Sequence, residues 1–321
     1  MNQTPDLPPS PPAPSVSTFG GTQVLRPDVV RVRLPLVNAY LLGRPGEPWV
    51  LVDAGMPLTA PLIRAAAARS HAGRPPAAVV LTHGHLDHIG GLHALLREWA
   101  VEGGAVPVYA HPLELPHLTG QVAYPFPDPT VGGVMSVLSP AFVPGPFDFR
   151  PHLQALPTDG SVPFAPGWRC LHTPGHSAGH VSLWRGADRA LVAGDAFVTT
   201  RQESAVGALT LRPVLVHRPP AYYTPNWDAA RESVRALAAL RPALAATGHG
   251  HPMTGERLDT ALERLARTFD EAARPAHGWY LRHPVPVTLP RPGSPDPLKA
   301  RVLGALAVAG AALAWRSLRR G

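Results

Sequence analysis

Cysteine is almost missing from this chain: Cys170 is the only one in 321 residues. No intramolecular disulfide can form, and nothing in the chain calls for an oxidising compartment. Cys170 lies on an expected strand, where a small buried hydrophobe is the ordinary role for such a residue. The amino terminus also lacks a basic segment followed by an apolar one, which argues against a secretory signal and makes the cytoplasm the expected location. Concentrated basic charge is scarce as well. A formal net charge of +7 and a pI near 10.3 would suit nucleic acid or an anionic surface. The arginines are dispersed, however, apart from Arg316, Arg319 and Arg320, so a solvated surface is expected and a nucleic-acid partner is not. Finally, no long apolar run marks a membrane span. The charge-free run Val302 to Trp315 covers 14 positions, about 21 Å as a helix against a hydrocarbon layer of roughly 30 Å. It has two readings: a short or tilted anchor whose flanking arginines snorkel, or a helix docked on the domain or on a second subunit.

Proline, by contrast, is abundant, with 41 residues clustered at Pro5 to Pro14, Pro125 to Pro166 and Pro284 to Pro297. The clusters read as tail, long ordered loop and linker. With 45% hydrophobic residues the chain can bury a full core. The expected organisation is a flexible tail over 1–18, a catalytic domain over 19–272 carrying a flap-like insertion at 114–160, a Pro-rich linker over 273–297, and an apolar helix with a basic end over 298–321.

The chemistry concentrates in Thr82-His83-Gly84-His85-Leu86-Asp87-His88-Ile89-Gly90-Gly91. Three imidazoles and a carboxylate follow the apolar run Ala77 to Leu81 and precede a helical pattern, which presents them at the end of a strand. Such an N/O ligand set suits zinc, manganese or iron and not thiolate chemistry. A lone HxH would be weak; HxHxDH at a strand-to-helix turn is far more specific. Three further motifs follow short apolar strands: His176 in Thr173-Pro174-Gly175-His176-Ser177-Ala178-Gly179-His180, Asp195 in Ala193-Gly194-Asp195-Ala196, and His249 in Thr247-Gly248-His249-Gly250. Strand ends of this kind are where layered α/β folds carry their chemistry.

Together with Val50-Leu51-Val52-Asp53-Ala54-Gly55, these motifs resemble, in order and from roughly Gly20 to Gly255, the metallo-β-lactamase superfamily of metallohydrolases. The resemblance implies a four-layer αββα sandwich with a dinuclear site at one edge of its sheets. Residue by residue it implies one metal held by His83, His85 and His176, another by Asp87, His88 and His249, and Asp195 bridging them. Asp53 would stand behind the ligands, and Asp53, Asp87 and Asp195 are the carboxylates expected to serve catalysis. The implied cofactors are two divalent ions, zinc first, with manganese or iron as alternatives. Two such cations about 3.5 to 4 Å apart lower the pKa of a shared water toward 7. The implied reaction is attack of that bridging hydroxide on the acyl carbon of a small thioester, lactone or other ester.

The Thr-Pro-Gly-His-Ser-Ala-Gly-His run is similar to the glyoxalase II and lactonase branches, with two departures. Phe197 and Val198 stand where lactonases place a tyrosine after the bridging aspartate. Gly84 stands where glyoxalase II commonly has a further histidine, and no basic glutathione-binding carboxyl-terminal region is evident. The rival readings are a phosphodiesterase or nuclease of the same superfamily, a mononuclear-iron persulfide dioxygenase, and a non-catalytic membrane-tethered binding protein.

Other residues carry plainer expectations. Val30-Arg31-Val32-Arg33-Leu34 alternates as a strand with one solvated face. His111 reads as structural and His180 as a supporting or structural residue. Tyr222 and Tyr223, between prolines, are packing residues more often than hydrogen-bond donors to substrate. Phe126, Phe142 and Phe147 are candidates for a substrate wall within the flap. Trp227 to Leu240 and Leu258 to Phe269 show helical spacing.

Overall fold

Val50-Leu51-Val52 shows how the layers arise. All three residues are buried; Leu51 joins one apolar cluster while Val50 and Val52 join another, because successive side chains on a strand point to opposite faces. A strand buried on both faces needs a layer on each side. In the computed structural model, which describes residues 18–101, 105–142, 147–293 and 295–318, those layers are helices on one side and a second sheet on the other. Residues 1–17, the Pro144-Gly145-Pro146 run, Arg319 and Arg320 lie outside the described residues.

The first sheet runs in sequence order: β1 (Thr22–Arg26), β2 (Val29–Arg33), β3 (Asn38–Leu42), β4 (Val50–Val52), β5 (Ala78–Val80), β6 (Val108–Ala110) and β7 (Leu153–Ala155). Pairing is antiparallel from β1 to β4 and parallel from β4 to β7. The second sheet comprises β8 (Arg169–His172), β9 (Val181–Arg185), β10 (Ala190–Gly194), β11 (Leu244–Thr247) and β12 (Met253–Thr254), in the order β12-β11-β10-β9-β8. Only its β10 and β11 run parallel.

Helices α1 (Ala60–His71), α2 (Leu86–Ile89) and α3 (Leu92–Val101) precede the short α4 (Leu115–Leu118), α5 (Val134–Leu138) and α6 (Ala205–Thr210); α7 (Trp227–Ala239), α8 (Gly255–Arg267) and α9 (Pro297–Leu318) follow. Ile63, Leu92, Leu95 and Trp99 pack on the outer face of the first sheet. Val234, Leu237, Leu258 and Leu262 pack on the outer face of the second. Between the sheets, Tyr40, Val52 and Val80 meet Val181, Val192 and Ala246. The result is the expected αββα sandwich. Helix α7 begins where the Asn226 side chain accepts from Ala229 N at 2.9 Å, an N-cap in the usual sense.

Several stretches differ from expectation. Arg31 was expected on a solvated strand face but is fully buried, because its guanidinium has partners inside: it donates to Asn38 Oδ1 at 2.8 Å and to Gly250 O at 3.1 Å. The end of the flap is no loop but β7, too short and too polar for its alternation to be read. The stretch 273–297, expected as a linker, is seated on the flap. Tyr280 is buried with Phe126 and Leu298, the Tyr280 hydroxyl donates to Phe126 O at 2.6 Å, and Phe126 N donates to Asp296 at 2.7 Å. Proline content reads as a linker, yet a few aromatic anchors suffice to dock it. As for the carboxyl-terminal run, no helix among the described residues is long and apolar enough to cross a membrane. Helix α9 docks through its start, with Leu298 buried and Arg301 4.5 Å from the Trp279 ring, while Leu303, Leu306 and Val308 are exposed.

Candidate metal centre

The parallel strands end at one edge of the sandwich, and there the chemistry gathers. Strand β5 leads to His83, His85 and the first turn of α2, which carries Asp87 and His88. The loop after β8 brings His176, the end of β10 brings Asp195, and the end of β11 brings His249. Three overlapping groups have ligand atoms within 4.8 Å of one another: His83, His85 and His176; His83, His88 and Asp195; and Asp87, His88 and His249. Asp195 Oδ2 lies 2.9 Å from His249 Nε2, 3.4 Å from His176 Nε2 and 3.6 Å from His88 Nε2. It thus reaches expected ligands of both sets.

Whether the residues fit metal ions can be tested on their unused atoms. His83 Nε2, His88 Nε2 and Asp195 Oδ1 are buried without a hydrogen-bond partner. Buried polar atoms left so are costly; bound divalent cations would answer all three. Burial and then the neighbouring imidazoles hold His83 well below the ordinary imidazole range, and burial lowers His85 to about 3. At His88 and His249 burial acts the same way but is outweighed by Asp195 and Asp87, so both are raised. Asp195 is held well below the carboxylate range: burial opposes this, but His249 and His88 prevail. The cluster therefore draws positive charge to its His88 and His249 side and keeps neutral imidazole nitrogens on the other, a donor set suited to borderline divalent metals.

Different residues aim the two sides. On the His88 side, Asp53 follows β4 directly in a left-handed conformation, φ 61°. Its Oδ1 accepts from Thr82 N, and its Oδ2 accepts from Thr82 Oγ1 and from His88 Nδ1, each at 2.8 Å. The last contact fixes the His88 tautomer and turns Nε2 inward. His249 Nδ1 donates to Leu36 O at 2.6 Å. The loop beneath it is held by Asn38 Nδ2, which donates to Thr247 O and Gly250 O, and by the Tyr40 hydroxyl on Thr247 O. Arg31 completes this clamp; burial depresses its pKa to about 10.

On the other side stands Glu114, a residue that no motif announced. Fully buried, it accepts from Gly84 N at 3.0 Å and from the Tyr124 hydroxyl with Oε2, and from Ser177 Oγ at 2.7 Å and Gly179 N at 2.8 Å with Oε1. One carboxylate thereby ties the His83 to His88 loop to the His176 loop. The packing also explains Gly84: a Cβ there would collide with the Tyr124 hydroxyl and Leu118. His180 sits behind Asp195, accepting from its backbone N at 2.9 Å. His111 stacks on His172 with centroids 4.1 Å apart and belongs to none of the metal groups.

Two cavities border the cluster. One, of about 490 Å³, reaches His85 and His176 and is lined by Tyr124, Phe126, Tyr222 and Tyr223 and by the segment 285–291. The other, of about 40 Å³, lies between Asp87, Gln202, Phe142, Tyr222 and Tyr223. Phe126 and Phe142 thus reach the cavities, whereas Phe147 packs on Phe149 instead. Tyr223 leans on His85, centroids 4.6 Å apart, and its hydroxyl donates to Phe142 O at 2.9 Å.

Comparison with known proteins agrees with this arrangement. The chain is 42% identical over 259 residues to YflN of Bacillus subtilis (strain 168), named a probable metallo-hydrolase, covering 79% of this chain and 96% of that one. It is 29% identical over 192 residues to an atrochrysone carboxyl ACP thioesterase of Aspergillus fumigatus, covering 57% of this chain and 49% of that one. A crystal structure of a beta-lactamase domain protein from Burkholderia ambifaria shares the fold, with a TM-score of 0.54 and 24% identity, covering 80% of this chain and 78% of that one. The family model for the metallo-beta-lactamase superfamily matches residues 32–249. That span begins in β2 and ends on the last of the clustered histidines, and the chain belongs to this superfamily of metal-dependent enzymes.

Proposed function

We propose that the protein is a dinuclear metal-dependent hydrolase of acyl substrates: thioesters, lactones or other esters. The observation that carries the reading is the set of orphaned buried atoms on His83, His88 and Asp195, set beside a largely apolar cavity that reaches His85 and His176. In this reading His83, His85 and His176 hold one ion, Asp87, His88 and His249 hold the other, and Asp195 is shared. Two divalent cations, zinc in the first instance, would activate water at neutral pH and polarise the acyl oxygen.

The protein's own groups do the rest. Asp53 and Glu114 fix the imidazole directions. In this reading the carboxylate of Asp195, or that of Asp87, would receive the proton released as water adds to the acyl carbon. A carbon–oxygen bond forms, the carbon–sulfur or carbon–oxygen bond of the ester breaks, and the leaving group takes up a proton. Tyr222 borders both cavities, and burial, then Asp87, holds its phenol protonated. It can donate a hydrogen bond to the reacting oxygen, whereas the Tyr223 hydroxyl is already directed at Phe142. Of the two relatives' names, metallo-hydrolase supports hydrolysis without choosing a substrate, and thioesterase favours acyl transfer to water over phosphodiester cleavage. Elemental analysis of purified protein, run alongside thioesters, lactones and phosphodiesters, tests this. Two equivalents of metal with thioester or lactone turnover is the expected result; one equivalent of iron with oxygen uptake, or phosphodiester turnover alone, would sink it.

A further inference from the structure

The larger cavity is mostly apolar, with polar groups and charge at its border. Phe126, Val285, Val287 and Leu289 line it, and the segment from 285 to 293 closes it on one side. That segment is anchored: Val285 N donates to Pro225 O at 2.9 Å, and Asn226 Nδ2 donates to Val285 O at 2.9 Å. Two ionised side chains outside the metal cluster border the cavity, Asp296 and Arg291. The Asp296 carboxylate is already directed elsewhere. It accepts from Phe126 N at 2.7 Å, Leu298 N at 2.9 Å and Lys299 N at 3.0 Å, capping α9 and tying the segment to the flap.

Arg291 is exposed and has no carboxylate partner among the described residues. A solvated arginine is ordinary on a surface. This one stands between Pro290 and Pro292, whose rings fix their own backbone angles. Less freedom is then lost when a ligand engages the guanidinium. An apolar cavity that opens from a hydrolytic centre and carries one unpaired guanidinium fits a chain-like substrate ending in an anion, since arginine pairs carboxylate and phosphate oxygens in a planar fork.

We propose that the substrate is an ester or thioester bearing an apolar chain with an anionic end, carboxylate or phosphate, and that Arg291 is the group that binds this end. The proposal rests on the acyl-hydrolase reading above and specifies the substrate class within it.

The test uses metal-loaded, full-length protein and hexanoyl thioesters of 6-mercaptohexanoate, 6-mercaptohexyl phosphate, 6-mercaptohexanol and 6-mercaptohexylamine, with an adipoyl thioester placing the carboxylate on the acyl side. The wild type should favour an anionic end over the alcohol by about tenfold in kcat/KM, and added salt should reduce the preference. Arg291→Gln should bring that ratio close to one, and Arg291→Glu should reverse it toward the amine. The carboxylate and phosphate arms separate the two sources of anion. A wild-type ratio near one, or a preference that survives Arg291→Gln, would overturn the proposal; the latter would mean that the anion engages the metals. If no thioester is hydrolysed, the hydrolase reading fails on its own, and calorimetry with the matching S-propyl thioethers still decides the role of Arg291. Tighter binding of anionic ends that disappears in Arg291→Gln upholds that role, and equal or absent binding ends it.

Discussion

The two sides of the ligand cluster are braced by different parts of the chain. His88 and His249 are aimed by residues of the first sheet and its turns: Asp53 on His88, Leu36 on His249, and Arg31, Asn38 and Tyr40 under the loop. His85 and His176 depend on one carboxylate from outside the strands, Glu114, and on the aromatic contacts of Tyr124 and Tyr223. The first side is held by a framework whose hydrogen bonds are shared among several residues. The second leans most on one junction, Glu114, with lighter ties from Asn226 N to Gly175 O and from Ser233 Oγ to Pro174 O. A fold can thus keep one half of a metal site rigid through its sheet and leave the other to an insertion that also shapes the cavity.

The comparison breaks most severely where both sides meet. Asp195→Ala should abolish turnover and metal retention together, because its carboxylate lies within 3.6 Å of ligand nitrogens from both sides. Full retention of two metals in that variant, read by elemental analysis, would deny Asp195 its shared place. Chelation of the wild type should lower thermal stability, since metal binding only to the folded state adds to its stability.

Next in size come the two braces. In Glu114→Gln the amide nitrogen cannot accept, so one pair of buried donors, Gly84 N with the Tyr124 hydroxyl or Ser177 with Gly179 N, loses its partner. A cost of about 2 to 3 kcal/mol of stability is expected, with metal affinity down about 10- to 100-fold. Asp53→Asn should weaken metal by a similar factor through the His88 tautomer. Spectra of the cobalt-substituted protein should show the two variants depopulating different positions. The same position lost in both would erase the distinction between the sides.

How much of this was legible in the sequence follows the same division. The ligands and Asp53 stand in short motifs at strand ends, where Gly and Pro enforce turns, and it was the resemblance of those motifs, taken in order, to the superfamily pattern that brought them together. Glu114 sits in His111-Pro112-Leu113-Glu114-Leu115-Pro116, where nothing separates it from a solvated acid. Its role is set by backbone N–H groups contributed by Gly84 and Gly179, which only the fold supplies. Arg31 misled in the opposite direction: alternation assigned it to solvent, yet the loop of His249 covers that face and offers Gly250 O. The segment 273–297 misled through composition, because proline frequency says nothing about the docking of Tyr280 on Phe126. Strand β7, three residues long, is below the length at which alternation can be recognised.

Arg31→Met sharpens the comparison further, at smaller effect. Its aliphatic replacement fills much of the volume but leaves Gly250 O and Asn38 with fewer partners, so about 1 to 3 kcal/mol of stability should be lost. Metal binding at the Glu114 side should remain as in the wild type. Equal weakening of both sides would mean that the sheet framework supports the entire cluster.

The smallest effect is expected from the carboxyl-terminal helix. A chain ending after Arg301 keeps Asp296 on Phe126 N, the buried Leu298 and the Arg301 contact with Trp279. It removes the exposed Leu303, Leu306 and Val308 together with Val302, which packs at the edge of the Phe126, Tyr280 and Leu298 cluster. Metal content and turnover should match those of the full chain, and the melting temperature should fall by no more than about a degree or two, as expected for one partly buried valine. A chain ending after Gly293 differs, because it loses Asp296 and Leu298. The segment 285–293 then has fewer ties to the flap, and the Michaelis constant should rise while both metals stay bound, since no clustered ligand lies beyond His249. Should the chain ending after Arg301 lose turnover or melt several degrees lower, the exposed helix must pack on something in solution, and a concentration-dependent melting temperature would identify that partner as a second copy of the chain.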